Sequence, residues 1–127
     1  METRASAPRP GIQRRWIVLI TLAIVLLLAA TSALYLRARL DPGTPVVGVS
    51  QIAVQDDQFA PAAIEVPAGT TVSWEWDGIE EHNVVGDGFE SSAQVEGDFS
   101  HTFNEPGTHA YECTLHFFMR GEVVVTD

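Results

Sequence analysis

The chain has one cysteine, and the residues that follow it are spaced for chemistry. In "YECTLHFFMRGEVVVTD", Tyr111 to Asp127, Cys113 is followed after three residues by His116 and after three more by Met119. Upstream, "EEHNVVG" supplies His82. A thiolate, two imidazoles and a thioether suit copper passing between Cu(I) and Cu(II). Cu(I) favours soft sulfur and low coordination and Cu(II) favours nitrogen, and a trigonal site of two histidines and a cysteine with a long axial methionine serves both. Zinc also takes Cys and His, but its structural sites are usually built from cysteines and histidines without a thioether. A thiol hydrolase would use Cys113 as nucleophile and His116 as base, which leaves His82 and Met119 unexplained. A separate three-histidine copper centre lacks residues, since His101 and His109 alone remain. A copper pair bridged by two thiolates is excluded by the single cysteine. The third reading is a metal-free β-sandwich binding module in which Cys113 is a small buried hydrophobe.

These side chains converge only if the fold brings the segment at residue 82 against residues 113–119. Beyond residue 45 the hydrophobic period is two, which predicts strands. Ile64 and Val66 precede a Pro-Ala-Gly turn, after which Val72, Trp74 and Trp76 share one face and Thr71, Ser73 and Glu75 the other. Phe99, His101 and Phe103 alternate, as do His109, Tyr111 and Cys113, and "EVVVTD" reads as a last strand rich in β-branched residues. Short strands with Gly and Pro between them predict an all-β, antiparallel sandwich. Gly86 to Asp98 reads as a polar loop region with one short strand. Trp74 and Trp76 are expected in the core. His101 and His109 are expected to be structural.

The N-terminal third is different. Residues 1–40 carry six arginines against Glu2, a balance of +5; residues 41–127 carry sixteen acids against Arg120, a balance of −15. Trp16 to Leu36 is an uncharged apolar run, about 31 Å long as a helix, enough to cross a bilayer core of about 30 Å. Four arginines precede it and two follow, which predicts a cytoplasmic N-terminus and an extracytoplasmic C-terminal domain. A cleaved signal peptide, with "TSA" at Thr31 to Ala33 as its site, is the alternative. The expected division is a basic cytoplasmic segment 1–15, a membrane anchor 16–36, a linker 37–45 and a β-domain 46–127. The acidic domain excludes nucleic acid as a partner, since that needs a basic surface, and is compatible with a basic protein partner. An exported domain often pairs its cysteines; Cys113 has no partner in its own chain.

The spacing Cys-x-x-His-x-x-Met followed by "RGEVVV", together with "FAPAAIEVPAGTTVSWEW", "HNVV" and "HTFNEPGTHAYEC", resembles the cupredoxins, amicyanin most and plastocyanins and halocyanins next. The resemblance covers roughly Gln51 to Thr126. It implies a Greek-key β-sandwich and one type 1, blue copper ion at His82, Cys113, His116 and Met119. It implies an electron carrier rather than an enzyme, with a cytochrome, oxidase, reductase or dehydrogenase as partner. It also suggests that the Asn83 side chain reaches across to the loop near Thr114. Two features depart from the pattern. The interval between His116 and Met119 is shorter than in a plastocyanin, and Leu115 stands where many relatives have proline. Phe117 and Phe118, two consecutive aromatics beside His116, are expected to form an apolar rim where redox partners dock.

Overall fold

The computed structural model describes residues 10–127, which form two compact units, one ending at Ala38 and one spanning Arg39–Asp127. The expected cytoplasmic segment 1–15 falls mostly outside the described residues. The described part of the first unit is helical and belongs to α1 (Pro10–Leu40). Its stretch Gln13–Leu40 is long and apolar enough to cross a membrane, and large apolar side chains from Trp16 to Leu36 are exposed along it. A helix that is apolar all round could cross a membrane. The hydroxyls of Thr21 and Thr31 donate to the carbonyls of Val18 and Leu28 one turn back, which satisfies them inside the helix. The helix continues four residues past Leu36 and ends at Leu40. Pro42 disfavours helical backbone at Asp41, and the Asp41 carboxylate accepts the Gly43 N–H at 2.9 Å to close the turn.

The second unit is a β-sandwich. Its strands are β1 (Val46–Val47), β2 (Gln51–Gln55), β3 (Gln58–Ala60), β4 (Ala63–Pro67), β5 (Thr70–Trp76), β6 (Val85–Gly86), β7 (Phe89–Glu90), β8 (Asp98–Phe103), β9 (Gly107–Glu112) and β10 (Arg120–Thr126). One sheet has the order β1-β4-β10-β9-β6-β7 and the other β3-β2-β5-β8. The sheets are mixed, not purely antiparallel. β4 runs parallel to β1 and β10, and β2 runs parallel to β5. The reason lies in the Pro67-Ala68-Gly69 turn, which does not close a hairpin. It carries the chain from one sheet to the other, with Ala68 N–H donating to Thr126 O in the first (2.8 Å) and Gly69 N–H to Phe103 O in the second (2.7 Å). Gly69 takes φ 84° there, a conformation that favours glycine.

Alternation places the core as the sequence predicts. Ile52, Val54, Ile64, Val66, Val72, Val123 and Val125 are buried between the sheets around Trp74. The Trp74 ring meets Phe89, Phe99, Phe103 and Tyr111 at centroid distances of 5.2–6.4 Å. The short strand expected within 86–98 is β7, which pairs with β6, and its Phe89 is buried in the core, a lone aromatic that polar neighbours hid in the sequence. One expectation needs correction. Trp76 is only partly buried, and its Nε1–H donates to the carbonyl of His82 at 3.2 Å. His101 and His109 are structural: His101 stacks on Phe89 at 4.7 Å, and His109 Nε2 lies 2.9 Å from the Glu105 carbonyl.

Candidate metal centre

Cys113 follows the last residue of β9 and Met119 precedes the first of β10, so residues 113–119 are the connection between two antiparallel neighbours. Its ends are set by the pairing of Glu112 with Arg120. The loop closes on itself: Cys113 N–H donates to Met119 O at 3.0 Å and Met119 N–H to His116 O at 3.1 Å. Cys113 and Met119 are buried in the core cluster. His116 is in between, with its side chain 27% exposed.

His82 comes from the other direction, between β5 and β6, and is fully buried. Its backbone pairs with Gln94 through two hydrogen bonds of 3.0 Å. With the Trp76 indole also on its carbonyl, the residue is fixed from both sides. Next to it, Asn83 Oδ1 accepts the Thr114 N–H at 2.8 Å and Asn83 Nδ2 donates to Thr114 Oγ1 at 2.8 Å. The link expected from the resemblance is therefore present, and it ties the His82 segment to the Cys113 loop.

Three donor atoms meet as a result. His82 Nδ1 lies 3.8 Å and His116 Nδ1 3.6 Å from Cys113 Sγ, the two rings are 4.5 Å apart, and all three atoms lie within 4.8 Å of one another. The separations can be tested against bond lengths. Metal–nitrogen bonds of about 2.0–2.1 Å and a metal–sulfur bond of about 2.3 Å put nitrogen and sulfur about 3.8 Å apart at a trigonal angle and about 3.6 Å at a tetrahedral one. The spacing suits one small metal ion. The donor types then choose copper over zinc, since a thioether residue closes the same loop. The four residues expected from the sequence form a group like a type 1 copper site. The geometry also has Cys113 and His116 within reach of a thiol–base pair.

Two carboxylates at this end of the sandwich were not anticipated. Asp56 Oδ1 lies 3.5 Å from His82 Nε2, and Glu80 Oε2 lies 3.2 Å from His116 Nε2. The sequence offers a partial signal for the first, because Asp56-Asp57 follows an alternating run and reads as a turn, but nothing in it says that the turn reaches His82. Phe117 and Phe118, the residues expected to form an apolar rim, are 77% and 44% exposed, with their phenyl rings edge to face at 4.9 Å; Leu115 in the same loop is also exposed.

The likeness to known proteins matches this geometry. A family model of cupredoxin-like domains fits residues 18–125. Halocyanin of Natronomonas pharaonis is 44% identical over 78 residues, 53% of this chain and 47% of that protein, so the chain spans about half the halocyanin's length. Amicyanin-alpha of Methylorubrum extorquens is 32% identical over 108 residues, 76% of this chain and 88% of that one. Among solved structures, a purple cupredoxin from Nitrosopumilus maritimus superposes with a TM-score of 0.56 at 28% identity, over 61% of this chain and 100% of the other. Fold, donor group and relatives converge on one conclusion: the chain belongs to the cupredoxins, the blue copper proteins, and its cofactor is a single copper ion.

Proposed function

We propose that this protein is a membrane-anchored carrier of single electrons, working outside the cytoplasmic membrane. In this reading His82 Nδ1, Cys113 Sγ and His116 Nδ1 would hold the copper, and the Met119 thioether would be the fourth, weaker donor. Bound copper supplies a one-electron couple between Cu(I) and Cu(II), and no bond in a substrate is made or broken. The rest is done by the chain. The closed loop 113–119 and the Asn83–Thr114 link hold the donors in one arrangement suited to both charges, so little has to move when the electron does. The core shields Cys113 and Met119 from water. His116 keeps an open edge through which the electron leaves.

Residues 1–15 are then the cytoplasmic segment, 16–36 the span within α1, 37–45 the linker and 46–127 the copper domain. The partner is a redox protein, a cytochrome, oxidase, reductase or dehydrogenase, that docks over Phe117 and Phe118 at the His116 edge. The acidic charge of residues 41–127 favours a basic surface around that partner's own redox centre.

The observation that carries the reading is the approach of both Nδ1 atoms to the Cys113 sulfur, His82 at 3.8 Å and His116 at 3.6 Å. The test is the visible and electron paramagnetic resonance spectrum of the copper-loaded protein. An intense thiolate-to-copper band that Cys113→Ser abolishes supports the carrier. A colourless protein whose Cys113 reacts rapidly with iodoacetamide would instead favour the thiol hydrolase.

A further inference from the structure

Each imidazole of the site has a carboxylate at the ring nitrogen that faces away from Cys113, and the two carboxylates are connected. Asp56 sits on the two-residue turn between β2 and β3, where Asp57 takes φ 68°. Its Oδ1 accepts the N–H groups of Ile79 and Glu80, each at 3.0 Å, and faces His82 Nε2 at 3.5 Å. The Glu80 carboxylate in turn reaches His116 Nε2 at 3.2 Å. Gly78 makes room for this arrangement, since a Cβ at that position would collide with the Asp56 carboxylate.

We infer that Asp56 is a positioning residue for both histidines of the copper site, acting directly on His82 and, by fixing the Glu80 backbone, indirectly on His116. The inference rests on the copper reading above. A neutral imidazole carries one N–H, and a carboxylate at Nε2 draws it there. Nδ1, the atom that faces Cys113 Sγ, is then left with its lone pair free for a metal. A carboxylate behind a ligating histidine also fixes the ring plane and raises its basicity. Added negative charge this close to the metal favours the higher oxidation state, so Asp56 lowers the reduction potential.

The test compares the full chain in detergent as wild type, Asp56→Asn, Gly78→Ala and Cys113→Ser. Three quantities are read: zinc affinity by chelator competition, the histidine tautomers of the metal-free protein by nitrogen-15 NMR, and the reduction potential of the copper form. Asp56→Asn is expected to weaken zinc binding by about 10–100-fold, to give His82 a mixture of tautomers in place of Nε2–H, and to raise the potential. Gly78→Ala keeps the Asp56 charge but displaces it, and is expected to shift all three in the same direction. Should Asp56→Asn fail to fold, Gly78→Ala decides alone. If the variants lose stability while affinity, tautomer and potential match the wild type, Asp56 only braces the loop and the inference is overturned. Failure of the copper reading itself has a different signature: wild type and Cys113→Ser would then be indistinguishable in metal binding.

Discussion

Asn83 and Thr114 hold each other by two hydrogen bonds of 2.8 Å, and each is the next residue in sequence after a donor of the site. The link crosses from the segment after β5 to the loop after β9, and it extends the pairing of β6 with β9 to the residues beside the donors. Removing the amide in Asn83→Ala leaves the Thr114 N–H to water and is expected to destabilise the metal-free protein by about 1–2 kcal/mol. Denaturant unfolding checks this, and the copper form should show a broadened thiolate band because the His82–Cys113 spacing is no longer held.

Met119 serves packing and chemistry at once, and two substitutions separate them. Met119→Leu keeps the volume of a fully buried side chain and is expected to cost less than about 1.5 kcal/mol, while raising the reduction potential because the thioether that would help hold Cu(II) is gone. Met119→Ala leaves a cavity beside Cys113 and is expected to cost about 2–5 kcal/mol. Unfolding of the metal-free variants and voltammetry of their copper forms distinguish the two effects.

Phe117 and Phe118 face solvent beside His116. Alanine at either position should change stability by less than about 0.5 kcal/mol yet slow electron transfer to the physiological partner. Stopped-flow rates measure this, and unchanged rates for both variants would reject the docking surface. With a basic partner the wild-type rate should also fall steeply as salt is raised from low ionic strength, since exposed charges are screened beyond about 10 Å at 0.1 M.

Burial pushes the Tyr111 phenol above its ordinary value of 10.0, with the Glu122 carboxylate adding and the Trp74 indole opposing. The folded state therefore binds this proton more tightly than the unfolded chain does. The associated stability is present in full below pH 10 and is lost as pH rises above it. Between pH 10 and 12, Tyr111→Phe should lose less stability than the wild type, as read from unfolding midpoints across that range.

The sequence makes the donor group legible because each of its parts is local: Cys113, His116 and Met119 sit within one loop, and His82 stands beside an asparagine at a strand end. Strand alternation likewise identifies Val72, Trp74, Phe103 and Tyr111 as core. What escapes it is contact between distant segments. Ile64 and Val72 flank one short turn yet lie in different sheets, and only the long-range parallel pairing of β4 with β1 and β10 and of β2 with β5 makes the sheets mixed. Phe89 is core without any alternating partner in sequence. Asp56 is a turn residue by every local rule, and its place behind His82 follows from the pairing of β2 with β5, which brings the β2–β3 turn alongside the segment after Trp76.

The direction of β10 has a practical consequence. The strand leaves Met119 and runs seven residues to Thr126, about 23 Å at a strand's rise per residue, so Thr126 lies at the pole away from the histidine edge. A thiol-free tether attached at that pole would seat the protein on an electrode with the redox face turned outward, toward whatever is offered in solution.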